Sequence, residues 1–157
     1  MPINLKKTVA ATSTLAALTG LGLFAAQAQA PQRNVWSGVY TAAQAARGAD
    51  AYAMHCAACH GSSLEGIDVA PALTGATFSS NWNNTSAADL HERIKLTMPI
   101  QAPNSLGGRM VADIEAYIFQ ANGMPAGDLD LPPNPALMRN VVITSQKPAD
   151  DEGDCTC

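Results

Sequence analysis

Cys56, Ala57, Ala58, Cys59 and His60 follow one another in the order C-x-x-C-H. Two thiols at this spacing lie on one side of a single turn, where both can form thioethers to the vinyl groups of one porphyrin. The adjoining imidazole is then held where it can coordinate the iron axially. The chemistry expected is a covalent haem c, with Cys56 and Cys59 as anchors and His60 as the iron ligand. A C-x-x-C pair alone also suits a redox dithiol, half a zinc site or a disulfide loop. No second Cys or His pair at zinc spacing follows, and no βαβ pattern surrounds the pair. No internal repeat offers a second site, so one haem is expected.

The elements that must position this motif are legible from caps and periodicity. Thr41-Ala42-Ala43-Gln44 is a capping box, in which the Thr oxygen and the Gln side chain satisfy free amides reciprocally. It opens an Ala-rich helix over 42–54 that runs into Cys56. Gly61, Gly66 and Pro71 make 60–73 a loop, and 75–84 is expected to be irregular. Ser86-Ala87-Ala88-Asp89 opens a helix to about Leu96, with Leu90 and Ile94 on its buried stripe, and Pro99 stops it. After a loop over 103–108, Val111, Ile114, Ile118 and Ala121 recur at helical spacing in a last helix over 109–121. Asn122-Gly123 caps it. Beyond lies a Pro-rich stretch whose one strand-like run is Val141-Val142-Ile143, then an acidic end from Asp150.

The N-terminus is expected to be a targeting segment. Lys6 and Lys7 form a basic start, Leu15 to Ala26 is apolar, and Ala26-Gln27-Ala28 and Ala28-Gln29-Ala30 are A-x-A cleavage sites. The apolar run is shorter than the roughly 20 residues a membrane span needs. Cleavage after Ala28 is favoured over an uncleaved anchor, and no Cys lies nearby to carry a lipid. The expected organisation is a signal peptide over 1–28, a lead-in over 29–40, a haem domain over 41–125 and a tail over 126–157. Export to the periplasm permits haem attachment and oxidised thiols. The net charge is −4 and becomes more negative when Lys6 and Lys7 are lost. Such a surface excludes nucleic acid as a partner, and no other apolar run is long enough to cross a membrane.

This arrangement resembles class I cytochrome c over about residues 38–125. The matches are Cys56-Ala57-Ala58-Cys59-His60-Gly61, Ala70-Pro71-Ala72-Leu73-Thr74-Gly75, Thr97-Met98-Pro99 and Asp113-Ile114-Glu115-Ala116-Tyr117-Ile118. The wording around Phe78, Trp82 and Asn122-Gly123-Met124-Pro125-Ala126-Gly127 is most similar to cytochrome subunits partnering quinoprotein alcohol dehydrogenases. The resemblance implies an all-α fold of about three main helices around one haem, followed by an extended tail. It also implies a Met as sixth ligand. Met54 is too close to Cys56, and Met110 is better placed for packing. Met98 follows His60 at a distance that allows the chain to wrap the other haem face, and it is the favoured ligand. Met124 is the runner-up, and Met138 lies in the tail. The family's acceptor for the second ring nitrogen of the ligating His is a loop-proline carbonyl, which here is Pro71. Gly48 and Tyr52 with Tyr117 and Ile118 match the family's helix crossing. Trp82 stands either as a donor to a haem propionate or as a core cover. His55 and His91 are expected to be surface or packing residues, with His91 as a distal group in the minor reading.

The function implied is one-electron transfer, with no residue acting as acid, base or nucleophile. Partners would be redox proteins, a dehydrogenase as donor and an oxidase or other cytochrome as acceptor. The alternatives are a fixed subunit of a periplasmic dehydrogenase, or a haem enzyme or gas sensor with an open sixth position. Cys155 and Cys157 lack a following His and suit a bridge, a soft metal or no defined role. Aromatic residues are 5% of the chain, so the porphyrin must supply much of the core. Burial of a few hundred Å² adds several kcal/mol at roughly 25 cal/mol per Å². The chain without haem is expected to unfold without cooperativity, and a sharp thermal transition of the apo protein would contradict this.

Overall fold

The computed structural model describes residues 33–148. The expected leader with its Ala28 site, and the end carrying Cys155 and Cys157, lie outside the described residues. A short strand β1 (Arg33–Asn34) and a 3-10 turn (Val35–Ser37) precede α1 (Ala42–His55). α2 (Ala57–His60), α3 (Gly75–Trp82), α4 (Ala87–Thr97), α5 (Gly108–Ala121) and α6 (Pro135–Met138) follow, then β2 (Val141–Val142). β1 and β2 pair in parallel, Arg33 opposite Val141. No described helix is long and apolar enough to cross a membrane.

The caps act as their chemistry dictates, with one exception. Ser86 and Asp89 form a complete capping box at α4. At α1, Thr41 Oγ1 accepts from the Gln44 amide at 3.0 Å. The Gln44 side chain does not return to the cap. It pairs with the Leu131 backbone, donating to its carbonyl at 3.0 Å and accepting from its amide at 2.6 Å. Both groups are buried, and a long-range two-point pairing outweighs a local cap. Gly123, at φ +79°, closes α5 with its amide 2.9 Å from the Gln120 carbonyl.

The frame is the crossing of α1 over α5. A Cβ at Gly48 would collide with the Asp113 carbonyl oxygen and press on Tyr117 Cβ. Next to this contact the Tyr52 and Tyr117 rings meet at a centroid distance of 5.4 Å. Arg47 crosses the same gap and grips both Asp113 oxygens, at 3.1 and 3.0 Å, and Asp130 at 2.8 Å.

Three expectations need correction. Residues 75–82 are a helix, not irregular chain. Gly75 turns at φ +66°, its amide donates to Asn122 Oδ1 at 3.0 Å, and Phe78 is buried. Tertiary anchoring replaces the missing local signals. The Pro-rich stretch beyond Ala126, expected as an extended tail, packs on the core. It buries Leu131, Met138, Val141 and Ile143 and clamps back through Leu131 and Asp130. Last, α5 buries more than one stripe. Ala112, Asp113, Glu115, Ala116 and Phe119 are buried with Val111, Ile114 and Ile118, while Ala121 is exposed, because α1, α4 and the C-terminal segment enclose it.

The replacement Gly48→Leu is expected to cost about 3 kcal/mol or more, the upper end of overpacking. It should lower both the unfolding midpoint and the yield of coloured protein. Wild-type yield and midpoint would refute the close crossing.

Candidate haem-binding site

α1 delivers the motif directly. The Cys56 amide donates to the Tyr52 carbonyl at 2.8 Å, and His60 donates to the Cys56 carbonyl at 2.9 Å. The chain thus breaks at Cys56 and restarts as the single turn α2, and both thiols are free. Tyr52, buried, donates its hydroxyl to the Gly61 carbonyl at 2.6 Å and fixes the exit of that turn. Burial pushes the Tyr52 hydroxyl pKa up. Desolvation, then the neighbouring Cys59, pushes the Cys56 thiol up to about 11. Cys56 is therefore a neutral thiol at neutral pH until it is bonded.

The loop after His60 folds back on it. The Gly66 amide donates to the His60 carbonyl and the Leu73 amide to the Leu64 carbonyl, each at 2.8 Å. Gly66, at φ +78°, is hemmed in by the Ala70 and Pro71 backbone, so only glycine fits this turn. The loop sets the Pro71 carbonyl oxygen 2.9 Å from His60 Nδ1. With Nδ1–H donated there, the ring is held in one tautomer and Nε2 keeps its lone pair for a metal.

His60, Cys56 and Cys59 line a cleft of about 580 Å³. Leu90 and Ile94 of α4 and Ile114 and Ile118 of α5 form its apolar lining, and Met98, Pro99 and Ile100 also face it. Met98 is the one methionine lining this cleft among the described residues. Met124 lines a separate cavity of about 310 Å³. Met54 is exposed, Met138 is buried in the core, and Met110 packs against the core. Trp82 lines the cleft, and no hydrogen bond to its indole N–H occurs among the described residues.

Two free thiols, an oriented imidazole, a thioether and an apolar wall are the donor set and surroundings that a covalently held, six-coordinate haem requires. No cluster of three or more His, Cys, Asp or Glu suited to a metal occurs among the described residues. Arg93 and Gln101, which no sequence motif singles out, also line the cleft. Arg93 was detectable, since it stands three residues after Leu90 and so on the same face of α4. His55 lines the rim and is exposed. His91 does not line the cleft; it is buried against Glu115.

Residues 43–118 match the family described as cytochrome c oxidase, cbb3-type, subunit III. Among solved structures, the sulfane dehydrogenase SoxCD from Paracoccus pantotrophus shares the fold. The likeness covers 76% of this chain and 68% of that chain, at a TM-score of 0.52 and 21% identity. No curated protein matches significantly. Given the C-x-x-C-H turn, the helical frame around its cleft and the family match, residues 43–118 are a class I c-type cytochrome domain, the unit that carries electrons on a covalently attached haem c.

Proposed function

We propose that this chain is a periplasmic one-electron carrier holding a single haem c, anchored by Cys56 and Cys59 and ligated by His60 and Met98. The observation that carries this reading is that one cleft gathers both thiols, His60 and Met98. The haem, when bound, supplies an iron that cycles between Fe(III) and Fe(II). The protein's own residues do the rest. Pro71 holds the His60 tautomer and makes the coordinating nitrogen more basic. A thioether from Met98 is a soft, neutral donor that favours Fe(II) and raises the potential. Leu90, Ile94, Ile114 and Ile118 exclude water, which keeps the local dielectric low. Trp82 and Arg93 both line the cleft, where the first would offer an N–H donor and the second a cation to the haem propionates. The leader over 1–28 supports export, with haem attachment outside the cytoplasm.

Replacing Met98 by Ala tests this directly. The wild-type oxidised protein should show the weak charge-transfer band of iron–thioether ligation, and the reduced protein should resist carbon monoxide. Met98→Ala should lose the band and bind carbon monoxide. Its midpoint should fall by on the order of 0.1 V, within the roughly 0.8 V that axial ligation spans. An unchanged spectrum and potential would refute Met98 as ligand, and rapid carbon monoxide binding by the wild type would favour the enzyme or sensor reading.

A second reading is a fixed subunit of a dehydrogenase. The shared fold with SoxCD and the family match support it, because the first is named as a dehydrogenase and the second as a subunit of an oxidase. Affinity capture of the tagged protein from its native periplasm should then retain a dehydrogenase subunit through size exclusion. Elution as a lone small protein would identify a free shuttle.

A further inference from the structure

The two helices that line the cleft carry a second ionisable pair on their other sides. α4 presents Leu90 and Ile94 to the cleft, and α5 presents Ile114 and Ile118. The residues beside them, His91 and Glu115, do not line it. They face each other, 2% and 0% exposed, with His91 Nδ1 3.3 Å from Glu115 Oε2. Glu115 Oε1 is buried with no hydrogen-bond partner among the described residues. Such a site is costly, since a desolvated carboxylate needs more than one long hydrogen bond. Nothing in the electron-transfer reading uses it.

The surroundings leave the pair poorly compensated. From α4, Glu92 and Lys95 are partly exposed. Arg139, just after α6, is exposed and lies 3.6 Å from Glu92, and Lys95 is tied to Asn104. On the α1 side, Arg47 is committed to Asp113 and Asp130. The Pro133 carbonyl packs against Gly108, next to the His91 ring. Desolvation holds the Glu115 carboxyl well above the usual carboxylate range and pulls the His91 imidazole down. Both shifts favour the uncharged forms, and the pair sits on the same two helices that supply the apolar wall of the cleft. A charge change in the cleft is weakly screened at that depth.

We propose that His91 and Glu115 form a proton-binding site coupled to the oxidation state of the haem. This rests on the haem reading above. On reduction, one electron comes from the donor protein and takes the iron from Fe(III) to Fe(II), while the pair binds one proton from solvent. On oxidation the electron leaves to the acceptor and the proton returns to solvent. Reduction lowers the charge in the cleft and raises the proton affinity of the pair. The midpoint potential must then fall as pH rises between the proton-release points of the oxidised and reduced forms.

The test is the midpoint potential of the holoprotein measured from acid to alkaline pH. A tenfold difference in proton affinity between the two states reads as a total fall of about 59 mV, and at least that fall is expected. In Glu115→Gln the fall should vanish while the thioether band stays. Persistence of the same fall in both Glu115→Gln and His91→Gln would place the titrating group elsewhere and overturn the proposal. If Glu115→Gln does not accumulate, redox-difference infrared spectra of the wild type serve instead. A protonated-carboxyl band should change on reduction and shift in heavy water and with isotope-labelled glutamate. A band insensitive to glutamate labelling would overturn the coupling. A colourless wild-type protein would sink the haem reading itself, whereas a pH-independent midpoint with a normal thioether band sinks only the proton site.

Discussion

The rest of the structure depends on the distance at which α1 crosses α5. A hydrogen in place of a side chain at Gly48 lets the α1 backbone touch the Asp113 carbonyl. That approach brings Tyr52 against Tyr117 and lets Arg47 reach Asp113. Cys56 emerges one turn beyond Tyr52, so the crossing also sets where both anchor thiols stand relative to Ile114 and Ile118. A looser crossing would move the anchors and the cleft wall apart. Few large core residues are available to refill such a gap.

Around this frame, polar groups fix orientations and apolar groups define the space. Tyr52 ties the end of the C-x-x-C-H turn through Gly61. Pro71 does the same for the His60 ring, and the Gly66 turn is what lets Pro71 reach it. Each bond is buried or backed by a rigid loop, so little conformational entropy remains to be lost when a metal is bound. Electron transfer benefits from that rigidity, because ligands that do not move between oxidation states add little reorganisation.

The segment from Leu131 to Ile143 braces the opposite side. Gln44 and Arg47 reach out from α1 and hold Leu131 and Asp130. β2 joins β1 in a two-stranded pair, and the Thr85 carbonyl accepts from the Ile143 amide at 2.8 Å. Packing here covers the α4–α5 side that would otherwise be wet, and it seals His91 and Glu115 inside.

Signals with a short range were readable without coordinates. The C-x-x-C-H spacing, the caps at Thr41, Ser86 and Asn122-Gly123, and the helical repeats of α1, α4 and α5 lie within a few residues of where they act. Amide capping and side-chain periodicity are local physics, so the sequence alone determined those elements and the cofactor chemistry they frame. Contacts between distant residues were decided by the tertiary structure. α3 forms because Phe78 is buried and Asn122 receives the Gly75 amide, neither of which is visible near Gly75 itself. Gln44 abandons its cap for Leu131, which lies 87 residues away. His91 was readable as a surface or a packing residue, and only its long-range contact with Glu115 decides that it is buried. Which methionine lines the cleft was likewise decided by packing: among the described residues Met98 lines it, while Met124 lines another cavity and Met138 is buried in the core.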